Sequence, residues 1–248
     1  QDDQEAFKWF RSGAEGGHVK SQNMLGAIFL EGKVVPQNIK EALKWYRFAA
    51  EQGDAVGEYQ IGAIYLKGKV VPQNKKEAFK WILRSAMQGY AKAQHNLGVM
   101  YLTGNGVTQN YKESFYWSKR AAEQGLSVAQ LGGGFTYFKG QGVPQDFILS
   151  YMWLSLSASN GNEPALKGRN ILAGIMTPQQ IEKAQEMARN WKPQKEYSNQ
   201  QNAPSKKNYT DPYGSGKSNA NECKENILEY NKATPRNAHC IAPNPHSK

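Results

Sequence analysis

Across residues 90–125 the apolar positions follow a helical rhythm twice, with one break between. Ala93, Leu97, Gly98 and Tyr101 fall on one side of a helix, and Gly104-Asn105-Gly106 ends it. This segment is helix A. After a short turn through Val107, Asn110 and Glu113 stand at capping-box spacing, in which one side chain accepts from first-turn N–H groups and the other reaches back. Helix B starts there, carries Trp117 and Ala121 on its inner face, and stops at Gly125, where a residue of positive φ is needed. A two-helix unit of this kind has one apolar face that only a stacked neighbour covers.

The neighbours are in the sequence. Trp9, Trp45, Trp81, Trp117 and Trp153 stand 36 residues apart. Gly17, Gly53, Gly89, Gly125 and Gly161 keep the same step, as do Ala14, Ala50, Ala86, Ala122 and Ala158. Gly26, Gly62, Gly98 and Gly134 form a further series inside helix A. A glycine there costs about 1 kcal/mol against alanine, so its recurrence implies close helix crossing. The Asn110/Glu113 box returns as Asn38/Glu41 and Asn74/Glu77, while Asp146 keeps only half of it, with Leu149 in the acid position. Two departures stand out: Thr108 replaces the proline of other units, and Gly132-Gly133-Gly134 interrupts the fourth helix A, where a loss of rigidity is expected.

Residues 162–192 leave the pattern, as a terminal unit should. Thr177-Pro178-Gln179-Gln180 combines an N-cap, a proline at the first helical position and a capping-box glutamine, predicting a closing helix that runs to Trp191. Its polar face, with Gln179, Glu182, Lys183 and Glu186, suits an end cap. The array with its capping helix therefore occupies residues 1–192. Residues 193–221 contain no Leu, Ile, Val, Met, Phe or Trp and read as a flexible linker. Residues 222–248 form a polar tail with a short apolar cluster at Ile227, Leu228 and Tyr230.

Composition adds little to the fold but narrows the partners. The chain is 39% apolar and 21% charged, which is the balance of a soluble protein. Its formal charge of +10 invites a nucleic-acid reading, yet the cations are scattered among acids with no basic run, so no specific nucleic acid is expected. No stretch approaches the roughly 18 apolar residues of a membrane helix. The first residues align with the middle of a repeat, so a removed export signal, an earlier repeat or both are expected upstream. The two cysteines, Cys223 and Cys240, lie in the tail; a disulfide would close a loop of about 18 residues and contribute on the order of 3 kcal/mol. Such a pair favours an oxidising compartment, with two reduced, unrelated thiols as the alternative.

Together Ala93-Gln94, Leu97-Gly98, Tyr101, Gly104, Gly106-Val107, Asn110, Trp117, Ala121-Ala122 and Gly125 resemble the motif of the Sel1-like repeats, relatives of the tetratricopeptide arrays. The resemblance implies an all-α fold, a right-handed α/α superhelix of about five helix-turn-helix repeats whose concave wall is lined by helix A. It also implies a non-enzymatic adaptor of the bacterial cell envelope, periplasmic or secreted, that binds a protein partner. Immunity proteins against secreted lipase-type toxins are a second role in the family. A third, β-lactam binding or hydrolysis, belongs to relatives that pair cysteines within each repeat, and this array has none.

Catalytic signatures are missing from the sequence: there is no Gly-x-Ser-x-Gly, no His-Glu-x-x-His and no Ser-x-x-Lys. Gly214-Ser215-Gly216-Lys217-Ser218 ends like a phosphate-binding loop, but Asp211 occupies the first glycine position. No cofactor or metal is called for. What varies between repeats is the side of helix A opposite its packing stripe. One column there is Asn23, Tyr59, His95 and Leu131, and the next is Ala27, Ala63, Val99 and Phe135. A constant framework with a variable wall is the arrangement of a partner-reading surface, with Tyr59, His95 and Phe135 as the expected anchors.

Overall fold

The structure is a computed structural model that describes residues 2–68 and 71–194. The linker from residue 195 onward, the tail, the Cys223/Cys240 pair and the Gly214–Ser218 segment lie outside the described residues.

Eleven helices stand among the described residues. Helix B of successive units is α1 (Asp2–Glu15), α3 (Ile39–Glu51), α5 (Lys75–Met87), α7 (Tyr111–Glu123) and α9 (Phe147–Ser159). Helix A is α2 (Val19–Glu31), α4 (Ala55–Lys67), α6 (Ala91–Thr103), α8 (Ser127–Lys139) and α10 (Glu163–Ala173). From α1 to α10 each helix packs on the ones before and after it in sequence. The closing helix α11 (Pro178–Asn190) turns back onto α9.

Two kinds of interface alternate along the stack. Within a unit, helix A meets the following helix B through its glycine: a Cβ on Gly26 would fall 2.8 Å from Tyr46 Cε1, one on Gly62 2.6 Å from Ile82 Cγ1, and one on Gly134 2.6 Å from Leu154 Cγ. No side chain fits there, so the crossing is possible only with hydrogen at that position. Between units, helix B meets the next helix A edge to face. Phe7 packs on Phe29 at 6.0 Å, Phe79 on Tyr101 at 5.7 Å and Phe115 on Tyr137 at 5.4 Å between ring centroids.

The turn from A to B is fastened three times over. Gly32, Gly68, Gly104 and Gly140 end helix A in the left-handed region. The glutamine just before each N-cap then donates to a carbonyl in the last turn of helix A: Gln37 to Leu30, Gln73 to Leu66 and Gln145 to Phe138 at 2.7 Å, and Gln109 to Leu102 at 2.6 Å. Finally the N-cap residue's own N–H donates to the aromatic carbonyl of helix A, as Asn38 does to Phe29 at 2.9 Å and Asn110 to Tyr101 at 2.9 Å. Asn38, Asn74, Asn110 and Asp146 cap helix B with their side chains as expected. The reciprocal half of the box does not form at Glu41 or Glu77. The N–H that each acid would reach is already bonded to helix A, and both carboxylates turn instead to Lys44 and Lys80 one turn on. Both halves close only at Thr177 and Gln180 of α11, among the described residues.

The triple glycine does not break α8, which is continuous. Its three members differ. Gly134 is the crossing residue, Gly133 lies under the Trp153 ring with a would-be Cβ 3.8 Å from Cγ, and a Cβ on Gly132 would meet nothing within 4 Å. At the ends, Trp191 stacks edge-on against Trp153 at 6.1 Å, so α11 covers the last helix B. Trp9 is 72% exposed where Trp45 is 8% exposed, because Trp45 packs on Ala14 and Leu25 and no described helix precedes α1.

Adjacent glycines therefore respond oppositely to one methyl group. Gly132→Ala gains helix propensity in open space and stabilises by roughly 1 kcal/mol. Gly134→Ala drives Leu154 away and destabilises by about 1–3 kcal/mol. Melting temperatures of the two variants, moving apart on either side of the parent, check this.

Candidate functional site

The variable wall is built by the constant side of the same helices. Gln22 of α2 donates to the carbonyl of Ala14 at the end of α1 at 3.4 Å and accepts from Gln52 just past α3 at 2.9 Å. Gln52 also donates to the Gly17 carbonyl at 3.1 Å. The third unit repeats this, with Gln94 donating to Ala86 at 3.3 Å and Gln124 donating to Gln94 and to Gly89 at 2.8 Å. In the fourth, Gln130 donates to Ala122 at 3.3 Å and accepts from Asn160 at 3.4 Å. These buried amides tie the ends of consecutive B helices to the helix A between them, fixing each wall helix along its axis.

The second unit departs from this ladder. Glu58 occupies the glutamine position, and a carboxylate only accepts. It recruits Arg84, whose Nε donates to Oε1 at 2.9 Å, and Gln88, which donates to Oε2 at 2.7 Å. Arg84 also lies over the Trp81 ring, 4.8 Å from its centroid. Glu58 is 2% exposed. Burial raises its pKa above the ordinary carboxylate range, with Arg84 opposing. The sequence signal for this pair is the break in the series Gln22, Glu58, Gln94, Gln130; the facing series Phe48, Arg84, Arg120, Leu156 carries an arginine in the third unit too, opposite Gln94, so the acid alone marks the site.

On the opposite side of helix A the two candidate columns have different surroundings. The first is half-buried, and at Asn23 and Tyr59 it joins neighbouring units. Asn23 donates to Asp54 at 2.8 Å. The Tyr59 ring packs edge-on against Tyr90 at 5.3 Å and its hydroxyl accepts from Asn96 at 3.3 Å. His95 has a buried Nδ1 without a hydrogen-bond partner, and burial lowers its pKa. Leu131 packs into the last apolar cluster, with Tyr151 and Leu154. The second column faces out: Ala27 and Ala63 are partly covered, while Val99 is 39% and Phe135 40% exposed. α10 continues it with Ile171, 68% exposed, which was missed because the motif lapses after residue 162. The wall thus presents one half-buried column, largely engaged within the stack, and one more exposed column available to a partner.

The Sel1 repeat matches residues 1–18, 19–54, 55–90, 91–126 and 127–162. The chain belongs to the Sel1 repeat family. Two solved structures are similar to this Sel1 repeat protein over 75% of the full chain. One is c5321, described as a protective antigen of uropathogenic Escherichia coli strains with an SLR fold, at 33% identity and a TM-score of 0.69; the array spans 40% of that protein. The other is a Sel1 repeat protein of Oxalobacter formigenes, at 30% identity and a TM-score of 0.65, of which it spans 79%. No curated protein matches the chain. No helix among the described residues is long and apolar enough to cross a membrane.

The Glu58–Arg84 pair gives this Sel1 array a measurable pH signature. Arg84→Ala leaves a buried carboxylate without its cation and lowers stability at pH 7 by roughly 3 kcal/mol. A raised pKa in the folded state means that the folded chain holds the proton more tightly. The loss is therefore small below about pH 4.3, the value of a free glutamate, and develops as pH rises through the raised folded value. Urea unfolding of parent and variant at pH 4 and pH 7 checks the sign.

Proposed function

We propose that this protein is a non-catalytic scaffold that binds a partner protein along its helix-A wall, acting in the bacterial cell envelope as a periplasmic or secreted adaptor. The observation that carries the reading is the split between the two sides of helix A. The packed side repeats its residues unit after unit, while the outward column runs Ala27, Ala63, Val99, Phe135 and then Ile171, apolar throughout and increasingly exposed. Val99, Phe135 and Ile171 fall in register on consecutive A helices, and an apolar row of that kind marks an interaction surface. Membership in a repeat family of interaction scaffolds supports the same reading, and the likeness to a protein described as a protective antigen supports an exported location.

Val99 and Phe135 are the residues to change, because Tyr59 also serves contacts between units and His95 is half-buried. Capture from envelope extract by the full chain, quantified by mass spectrometry, is expected to fall at least tenfold for Val99→Asp with Phe135→Asp, with the melting temperature nearly unchanged. Met87→Asp, on exposed helix B, is expected to leave capture as it was. One tight partner among the captured proteins points to an inhibitor, and several weaker ones to an adaptor. Equal capture by the parent and the wall variant places the partner elsewhere on the array and refutes the proposal.

A further inference from the structure

The two outward positions of helix A that lie three residues apart change in opposite directions along the stack. The first runs Met24, Gln60, Asn96, Gly132, Gly168, so its side chain disappears in α8 and α10. The second runs Ala27, Ala63, Val99, Phe135, Ile171, so its side chain grows. A floor is lowered where the walls are raised. The register between neighbouring A helices is visible at Phe135, whose Cζ lies 3.7 Å from a Cβ built on Gly168. The same offset sets Val99 beside Gly132. Valine is too short to fill that space, and a Cβ on Gly132 meets nothing within 4 Å. Val128, one turn before Gly132 and 47% exposed, adds apolar surface on the same helix. The result is a gap in the side-chain cover at Gly132, a notch open to solvent.

Charge on the three wall helices is predominantly positive. α6 and α8 carry Lys92 and Lys139 and no acid; α10 carries Lys167 and Arg169 against Glu163 at its first position. Lys92 and Lys139 share the outward stripe with Val99 and Phe135 by helical periodicity. Lys92, Lys139 and Lys167 are exposed, and none makes an ion pair among the described residues. Helix B surfaces, by contrast, mix both signs, as in α3 and α7.

We infer that the wall formed by α6, α8 and α10 takes a protein segment that seats one apolar side chain in the Gly132 notch and carries Asp or Glu to either side of it. This rests on the helix-A wall being the binding surface and assigns the chemistry of its occupant. The notch supplies an apolar-lined seat that the anchor would desolvate, and the unpaired lysines favour acidic flanks and repel basic ones.

A library of random 16-residue peptides displayed on phage and selected on the immobilised full chain tests this. The recovered pool is expected to be enriched in Asp and Glu around a Leu, Ile, Met or Phe, with binding that weakens as salt rises. Gly132→Gln fills the notch without touching the core and is expected to cut affinity for the recovered peptides at least tenfold, with the melting temperature kept or raised. Lys92→Glu with Lys139→Glu is expected to select a basic pool instead. A pool without acidic bias, binding indifferent to Gly132→Gln, or no enrichment over an uncoated surface overturns the inference. Peptides lost on Ala63→Asp but kept on Gly132→Gln overturn it while leaving the scaffold reading intact. Peptides kept on every wall variant overturn both.

Discussion

The rest of the structure depends on helix B packing directly on the bare backbone of helix A. At Gly26, Gly62, Gly98 and Gly134 helix A lies so near the following helix B that even a methyl group has no room. Each glycine weakens its own helix, so the contact is sustained by what the approach permits: ring and aliphatic groups of helix B pressed against the bare backbone of helix A. Once that crossing is set in one unit, an identical crossing follows 36 residues later, and the aromatic pairs between units carry the orientation onward. Repetition of a local constraint replaces the single large core of a globular domain.

Polar chemistry does the finer positioning. The buried glutamines bridge helix ends that would otherwise present unpaired carbonyls, and they do so across three helices at a time. The column containing Val99 and Phe135 is left more exposed, with the Phe135 ring reaching α10 at Gly168, while the column containing Tyr59 and His95 is half-buried and at Tyr59 tied to the next unit. The replacement of glutamine by Glu58 shows how the ladder tolerates change: the carboxylate cannot donate to a helix-end carbonyl as glutamine does, and its charge is met by Arg84 from the facing helix. That exchange is confined to one unit, as nearest-neighbour construction requires.

Much of this was legible in the sequence because spacing encodes it. The helices, their glycine stops, the N-caps and the closing helix all follow from residues at fixed offsets. The capping boxes at Glu41 and Glu77 were overread: the pattern is local, but the N–H they needed is bonded to a carbonyl nine residues earlier, which only the folded turn reveals. The glycine run at 132–134 was also misjudged. Composition says weak helix, whereas packing gives Gly133 and Gly134 separate roles and leaves only Gly132 open. The variable columns were found by register alone, yet register does not distinguish a side chain wedged between units from one that faces water. Tyr59 and Phe135 looked equivalent until neighbouring helices were in place. Ile171 escaped because the repeat motif ends before it, although the helix does not.

The central claim is that stability and wall geometry are assembled from neighbour contacts seeded at the glycine crossings. Amide hydrogen exchange of Gly98→Ala, followed helix by helix against the parent chain, tests it most directly. The account predicts faster exchange in α6 and α7, a smaller effect in α5 and α8, and little change in α1 and α2. Uniform acceleration across all helices, or none anywhere, would contradict it.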